Sequence, residues 1–153
     1  MAERGIKVIA ENRKARHDYF VLDTYETGIA LTGTEVKSLR AGRVNLKESY
    51  AQVTGGELYL ESAHISPYEQ GNRYNPDPLR RRKLLMHKRE ILRLYGQVKQ
   101  EGLTLVPLKF YFSRGKVKVE LALCKGKKLY DKRDAAAAKD ARREVERAFR
   151  DRR

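Results

Sequence analysis

Residues 103–123, LTLVPLKFYFSRGKVKVELAL, decide the fold class. Leu103 and Leu105 stand on odd numbers, whereas beyond Pro107 the large apolar residues Leu108, Phe110 and Phe112 stand on even ones. A period of two describes a strand with one buried face, and a phase slip at a proline is what a β-bulge produces. Val117, Val119, Leu121 and Leu123 then alternate with Lys116, Lys118, Glu120 and Ala122, which predicts a second half-buried strand. Ser113-Arg114-Gly115 reads as the hairpin turn between the two. Bulges bend strands, and bent strands help a sheet curl into a barrel.

Working outward, Gly5–Glu11 reads as a short strand running into a helical turn over residues 12–17. Asp18–Tyr25 and Gly28–Leu31 are rich in β-branched and aromatic residues and read as strands, with Glu26-Thr27-Gly28 as the turn between them. Gly33–Gly42 reads as a short helix: Thr34 is a good N-cap, Glu35 suits the positive helix start, and Gly42 can take the left-handed conformation beyond its end. Val44–Val53 and Glu57–Glu61, joined at Gly55-Gly56, form a second hairpin. Ser66–Pro78 holds three of the four prolines and is a loop. Over Arg82–Glu101 the residues Leu84, His87, Ile91, Leu94, Tyr95 and Val98 recur at helical spacing, closed by Gly102; His87 reads as a hydrogen-bonded core histidine. The fold class these elements predict is mainly β with flanking helices, an OB-fold-like closed antiparallel β-barrel.

The chain has 153 residues, ordinary for one domain, and 34 Lys+Arg against 20 Asp+Glu give a formal charge of +14. Such a balance favours anionic partners, nucleic acid first and a membrane surface second. The charge is uneven. Residues 44–78 hold Lys47 and Arg73 against Glu48, Glu57, Glu61, Glu69 and Asp77, whereas residues 79–93 set Arg80, Arg81, Arg82, Lys83, Lys88, Arg89 and Arg93 against Glu90 alone. This suggests one basic face. No apolar run approaches the roughly 18 residues of a spanning helix, and the N-terminus shows no signal-type apolar core. The single Cys124 excludes an internal disulfide framework and fits a reducing cytoplasm.

At residues 125–133, KGKKLYDKR, five cations, one ring and one carboxylate stand at a joint. The body, residues 1–130, can bury a core. Residues 131–153 cannot, since Val145 and Phe149 are their only sizeable apolar groups. The expectation for this basic tail is disorder when free and a helix, about 35 Å long at full extent, when bound to a partner. Cations with an interleaved ring suit RNA, which offers phosphates and flat faces together; a solvated charge run leading to a frayed end is the plain alternative.

Enzyme chemistry finds little footing. His17, His64 and His87 are scattered, no cysteine pair exists, and neither a phosphate loop nor a nucleophile elbow is present, so no metal and no cofactor is expected. Glu35 beside Lys37 and Arg40 resembles an acid/base set for an RNase but reads more simply as a surface ion pair. For Lys37, Arg40, Arg82, Lys83 and Lys118, taken one at a time, phosphate contact and plain solvation fit equally; their sum argues for a basic face. Tyr19 and Tyr130, next to polar runs, are the better stacking candidates.

Four segments in order, NRKARHDY (12–19), GIALTGTEVKSLRAG (28–42), RKLL (82–85) and KGKK…DKR (125–133), resemble the SmpB family of bacterial SsrA-binding proteins over nearly the whole chain. The resemblance implies an OB-fold barrel with peripheral helices, no enzymatic activity and a cytoplasmic monomer. It also implies binding to the tRNA-like domain of transfer-messenger RNA and entry with it into stalled ribosomes. Carried over by motif, Asn12, Lys14, His17, Tyr19, Glu26, Glu35, Lys37, Arg40, Lys83, Leu85 and Lys118 fall in the family's RNA-binding surfaces. Lys125, Gly126, Lys127, Lys128, Asp131, Lys132 and Arg133 match its segment at the decoding centre, Tyr130 standing among them at a variable position, with the tail in the empty mRNA channel. Two other readings compete: a structural protein embedded in ribosomal RNA, and a small RNase.

Overall fold

The computed structural model describes residues 5–68, residues 75–127 and Arg143. The first half runs β1 (Ile6–Glu11), α1 (Arg13–Asp18), β2 (Tyr19–Ile29), α2 (Gly33–Arg40), β3 (Val44–Asn45), β4 (Tyr50–Thr54), β5 (Glu57–Glu61) and β6 (His64–Ile65). Then come β7 (Arg82–Leu85), α3 (Lys88–Glu101), β8 (Thr104–Ser113) and β9 (Lys116–Gly126). Seven strands form one antiparallel sheet in the order β1-β8-β4-β5-β7-β2-β9, and β9 also pairs with β8.

The fold-deciding hairpin is the hub. One edge of β8 pairs with β9 from Thr104↔Cys124 to Ser113↔Lys116. Its other edge meets β4 at Ala51↔Leu105 and β1 from Glu11↔Lys109 to Ile6↔Ser113. The pairings therefore lead from β8 through β4, β5, β7, β2 and β9 back to β8. The register of β8 on β9 shifts between Pro107 and Lys109, where the apolar alternation changes phase. Arg114 and Gly115 turn the hairpin with φ of 52° and 76°, the conformation a tight two-residue turn requires.

The two faces of β8 serve two cores, and Leu108 lies with Val106 rather than with Phe110 as its even number predicted. Leu105 and Phe110 join the main cluster with Leu39, Leu58, Leu60, Leu84, Ile91, Leu94, Val119 and Leu121. Val106 and Leu108 go to the opposite face, where they pack with Ala15 of α1, Ala122 and Cys124. The short helix α1 thus covers a second apolar patch, and the side of β9 expected to face solvent is buried at Ala122. Burial raises the Cys124 thiol to about 11. Among the described residues no helix is long and apolar enough to cross a membrane.

Four segments depart from the sequence reading. Glu26-Thr27-Gly28 is not a turn, because all three stay on the ladder opposite Glu120, Val119 and Lys118, and β2 is one continuous strand. Arg82–Leu85 is a strand and not the start of a helix. Its burial alternates, Arg82 and Leu84 inward, Lys83 and Leu85 outward, and it pairs with β5 and β2. Helix α3 begins six residues later, after an exposed N-cap His87, which is therefore no core histidine. The N-cap of α2 is Thr32 rather than Thr34: its hydroxyl accepts from the Glu35 N–H while the Glu35 carboxylate accepts from the Thr32 N–H, a reciprocal capping box. Val44–Val53 also splits, with Leu46 buried between β3 and β4 and its carbonyl bound by the Ser49 hydroxyl at 2.6 Å.

Candidate nucleic-acid interface

The charges expected on one basic face separate by depth. Arg82 is 0 % exposed and Glu35 is 3 % exposed. Arg82 donates from Nε to Glu35 Oε2 at 2.7 Å and from Nη1 and Nη2 to the carbonyls of Ala63 and Pro78 at 2.7 and 3.0 Å. Arg80 adds a second guanidinium on the same carboxylate, Nε to Oε2 at 3.1 Å, and reaches the Ala30 carbonyl. Burial alone would push the Glu35 carboxyl up, but hydrogen bonds from Arg80, the Thr32 N–H and Arg82 bring it below the ordinary carboxylate range. Burial depresses Arg82, and Glu35 offsets it. The pair expected on the surface with Lys37 and Arg40 is thus an internal clamp tying α2 to β7. Neither Glu35 nor Arg82 is open to an RNA contact here.

The clamp fixes the neighbours that remain outside. Lys83 and Leu85 point outward from β7, and Lys37 and Arg40 are exposed on α2, with the Lys37 ammonium 5.4 Å from the Tyr68 ring centroid. Across the sheet, Leu85 stands opposite Gly28 on β2, and Gly28 stands opposite Lys118 on β9. Glu26 lies on the same outer face, since its neighbour Thr27 is buried and donates to the Val119 carbonyl. Four residues expected in the RNA-binding surface, Glu26, Lys83, Leu85 and Lys118, therefore share one sheet face. Gly28 is what lets β7 come close, because a Cβ there would lie 3.2 Å from that of Leu85.

A second group surrounds α1. Asn12 is 6 % exposed and structural, its amide donating to the carbonyls of Leu46 and Pro107 at 3.2 and 3.0 Å. Lys14 and His17 are exposed, Lys14 lying 3.6 Å from Glu48 and His17 3.1 Å from Asp18. Lys125 and Gly126 continue β9 beside the start of β2, paired Phe20↔Lys125 and Tyr19↔Gly126. Lys127 donates from its backbone to Asp18 and from Nζ to the Arg16 carbonyl, and its ammonium sits 4.9 Å from the Phe20 ring centroid. The joint is thus anchored to α1 and carries an exposed ring, at 43 %, between two lysines. The sequence reading missed Phe20 because Tyr19-Phe20-Val21-Leu22 is apolar throughout and carries no parity signal. Lys128, Tyr130, Asp131, Lys132 and Arg133, and the tail apart from Arg143, lie outside the described residues.

A second omission is Tyr111, whose hydroxyl donates to Glu26 Oε2 from the far side of β9. Nothing in a strand's alternation reveals a partner two strands away.

Exposed cations, a carboxylate and an apolar side chain on one sheet face, with a lysine-flanked ring at the joint, define a nucleic-acid-binding β-protein. Comparison with known proteins narrows the class. The family profile described as "SmpB protein" matches residues 9–151, and the chain belongs to that family. Curated relatives named "SsrA-binding protein" include those of Moorella thermoacetica, 66 % identical over 97 % of both chains, and Desulfitobacterium hafniense, 62 % identical over 99 % of this chain and 97 % of the relative. A third, from Geobacillus thermodenitrificans, is 64 % identical over 95 % of this chain and 94 % of the relative. A solved structure described as "tmRNA-SmpB: a journey to the center of the bacterial ribosome" superposes with a TM-score of 0.68 at 59 % identity, over 83 % of this chain and 93 % of the other.

Proposed function

We propose that this chain binds the tRNA-like domain of transfer-messenger RNA and delivers it to stalled ribosomes for trans-translation. The observation that carries the reading is the near-full-length similarity to SsrA-binding proteins, joined to an outer sheet face made of Glu26, Lys83, Leu85 and Lys118. Lysines supply phosphate contact, a carboxylate accepts from a base or a 2′-hydroxyl, and Leu85 packs on an unstacked base. Nothing in this set requires bond-making chemistry, and the protein acts as an adaptor in the cytoplasm. The closed run of strand pairings and the bulge in β8 support an OB-type barrel as its body.

The basic joint and tail address the ribosome. Lys125, Gly126 and Lys127, with Lys128, Tyr130, Asp131, Lys132 and Arg133 after them, approach the decoding centre, and residues beyond occupy the empty mRNA channel. The anchoring of Lys127 on α1 supports this division, because it ties the last described residues of the joint to the body. Truncation before Asp131 tests it. Affinity for a tRNA-like-domain transcript stays near that of the full chain while tagging of stalled nascent chains is lost. Loss of RNA binding on truncation would refute the division of labour.

A further inference from the structure

On the outer face of β2, β8 and β9, two carboxylates stand where charge rules would separate them. Glu26 on β2 is directly opposite Glu120 on β9, and like charges in opposed positions repel. The third strand, β8, supplies each with its own partner. Lys109, the register partner of Glu120, lies 3.3 Å from Glu120 Oε2. Tyr111, the register partner of Lys118, reaches diagonally across β9 and donates its hydroxyl to Glu26 Oε2. Lys118 forms no ion pair with any described residue.

Tyr111 is 4 % exposed, and the Lys109 ammonium lies 5.5 Å from its ring centroid. The ring is held on all sides while its polar tip meets a carboxylate. Burial, then the Glu26 hydrogen bond, hold the hydroxyl protonated far above neutrality, so it remains a donor. An ionised carboxylate only accepts. Glu26 spends Oε2 on Tyr111, and Oε1 has no partner among the described residues.

We infer that Tyr111 is a positioning residue for RNA recognition: its hydrogen bond fixes the Glu26 carboxylate so that Oε1 is presented to a donor of the bound RNA, a base amino group or a 2′-hydroxyl. This rests on the reading of the Glu26 face as the RNA-binding surface, and it deepens that reading. An untethered glutamate on a strand face would rotate among several rotamers and would spend binding free energy on being ordered. Tethered, it is ordered before the RNA arrives. Lys118, opposite Tyr111 and without an anionic partner among the described residues, is left for phosphate.

The test uses the full chain and a tRNA-like-domain transcript, titrated over a range of salt, with Tyr111→Phe, Glu26→Ala, the double variant and Lys118→Ala. Tyr111→Phe keeps the ring and should weaken binding about five- to tenfold, the scale of one ordinary net hydrogen bond. Its salt slope should equal that of the unmodified chain, because no phosphate contact is lost, whereas Lys118→Ala should lower the slope by about one. The double variant should bind no worse than Glu26→Ala alone, since the tyrosine acts through the carboxylate. Losses that multiply in the double variant would overturn the inference, as would unchanged binding by Tyr111→Phe while Glu26→Ala is weakened. Unchanged binding by Glu26→Ala itself would instead overturn the reading of this face, and the inference with it.

Discussion

Glu35 sits 3 % exposed between Arg80 and Arg82, with its oxygens taken by two guanidinium groups and the Thr32 N–H. Glu26 stands on the outer face of β2 with one oxygen held by Tyr111 and the other without a partner among the described residues. Both are carboxylates on elements that border β7, and both lie within the residues that the family profile matches. What separates them is unspent hydrogen-bonding capacity. A buried carboxylate has to satisfy its lone pairs internally, so it can organise a binding surface but cannot join it. An exposed carboxylate held at one oxygen is ordered and still able to accept.

The largest effect that bears on this contrast is on stability. Glu35→Gln removes the charge that compensates a fully buried Arg82, and breaking one side of a buried pair costs about 3–5 kcal/mol. Denaturant titration checks it, and a loss below about 1 kcal/mol would mean that the clamp is not what holds α2 to β7. The effect has a pH signature. The folded-state pKa of Glu35 is depressed, so its contribution is complete above the unfolded carboxylate value of about 4.3 and is lost as pH falls through the lower folded value. The stability difference between the native chain and Glu35→Gln should therefore hold through neutral pH and shrink below about pH 4. A gap that does not shrink on acidification would assign the stabilisation to packing instead.

Adjacent residues on β7 sharpen the same contrast. Arg82 points inward and is fully buried, whereas Lys83 points outward and pairs with Glu57 at 3.2 Å, both side chains nearly half exposed. A surface pair of this kind contributes about 0–1 kcal/mol. Lys83→Ala should leave the unfolding midpoint almost unmoved while weakening binding to the tRNA-like domain and lowering the salt slope by about one. A large loss of stability with an unchanged slope would make Lys83 a structural residue like its neighbour.

Much of this was legible from the residues, and what was not has physical reasons. The β8–β9 hairpin and its bulge followed from alternation, because a strand with one buried face prints its parity on the sequence. Arg82–Leu85 failed the same test, since four residues are too short for period two to outweigh the helical spacing that continues into Ile91 and Leu94. The turn-like Glu26-Thr27-Gly28 was overridden by its ladder with β9, a contact remote in sequence. The site residues divided along the same line. The family resemblance picked out Glu26, Glu35 and Lys83 alike, and charge added Arg82 to the same expected face. Depth, which assigns two of them to a clamp and two to a face, comes only from tertiary packing.

Gly28 joins the two regions and has the smallest expected effect. It lies between Leu85 and Lys118, and its backbone adopts no conformation that an alanine would resist. Space is the constraint: an added Cβ would meet the Leu85 Cβ at 3.2 Å and its Cδ1 at 3.4 Å. The end of Leu85 is half exposed and can swing away, but its Cβ is fixed to β7 and must shift with the strand. Gly28→Ala should therefore cost only about 1 kcal/mol, the low end of overpacking, because the crowding lies on the surface rather than in the core. Its consequence for binding should be larger in proportion, a severalfold loss of affinity at unchanged salt slope, since what moves is the apolar contact and not a phosphate partner. Melting and RNA titration on the same variant separate the two. If affinity is retained while β7 is displaced, the close approach of β2 and β7 serves packing alone, and the face is shaped by its charged groups.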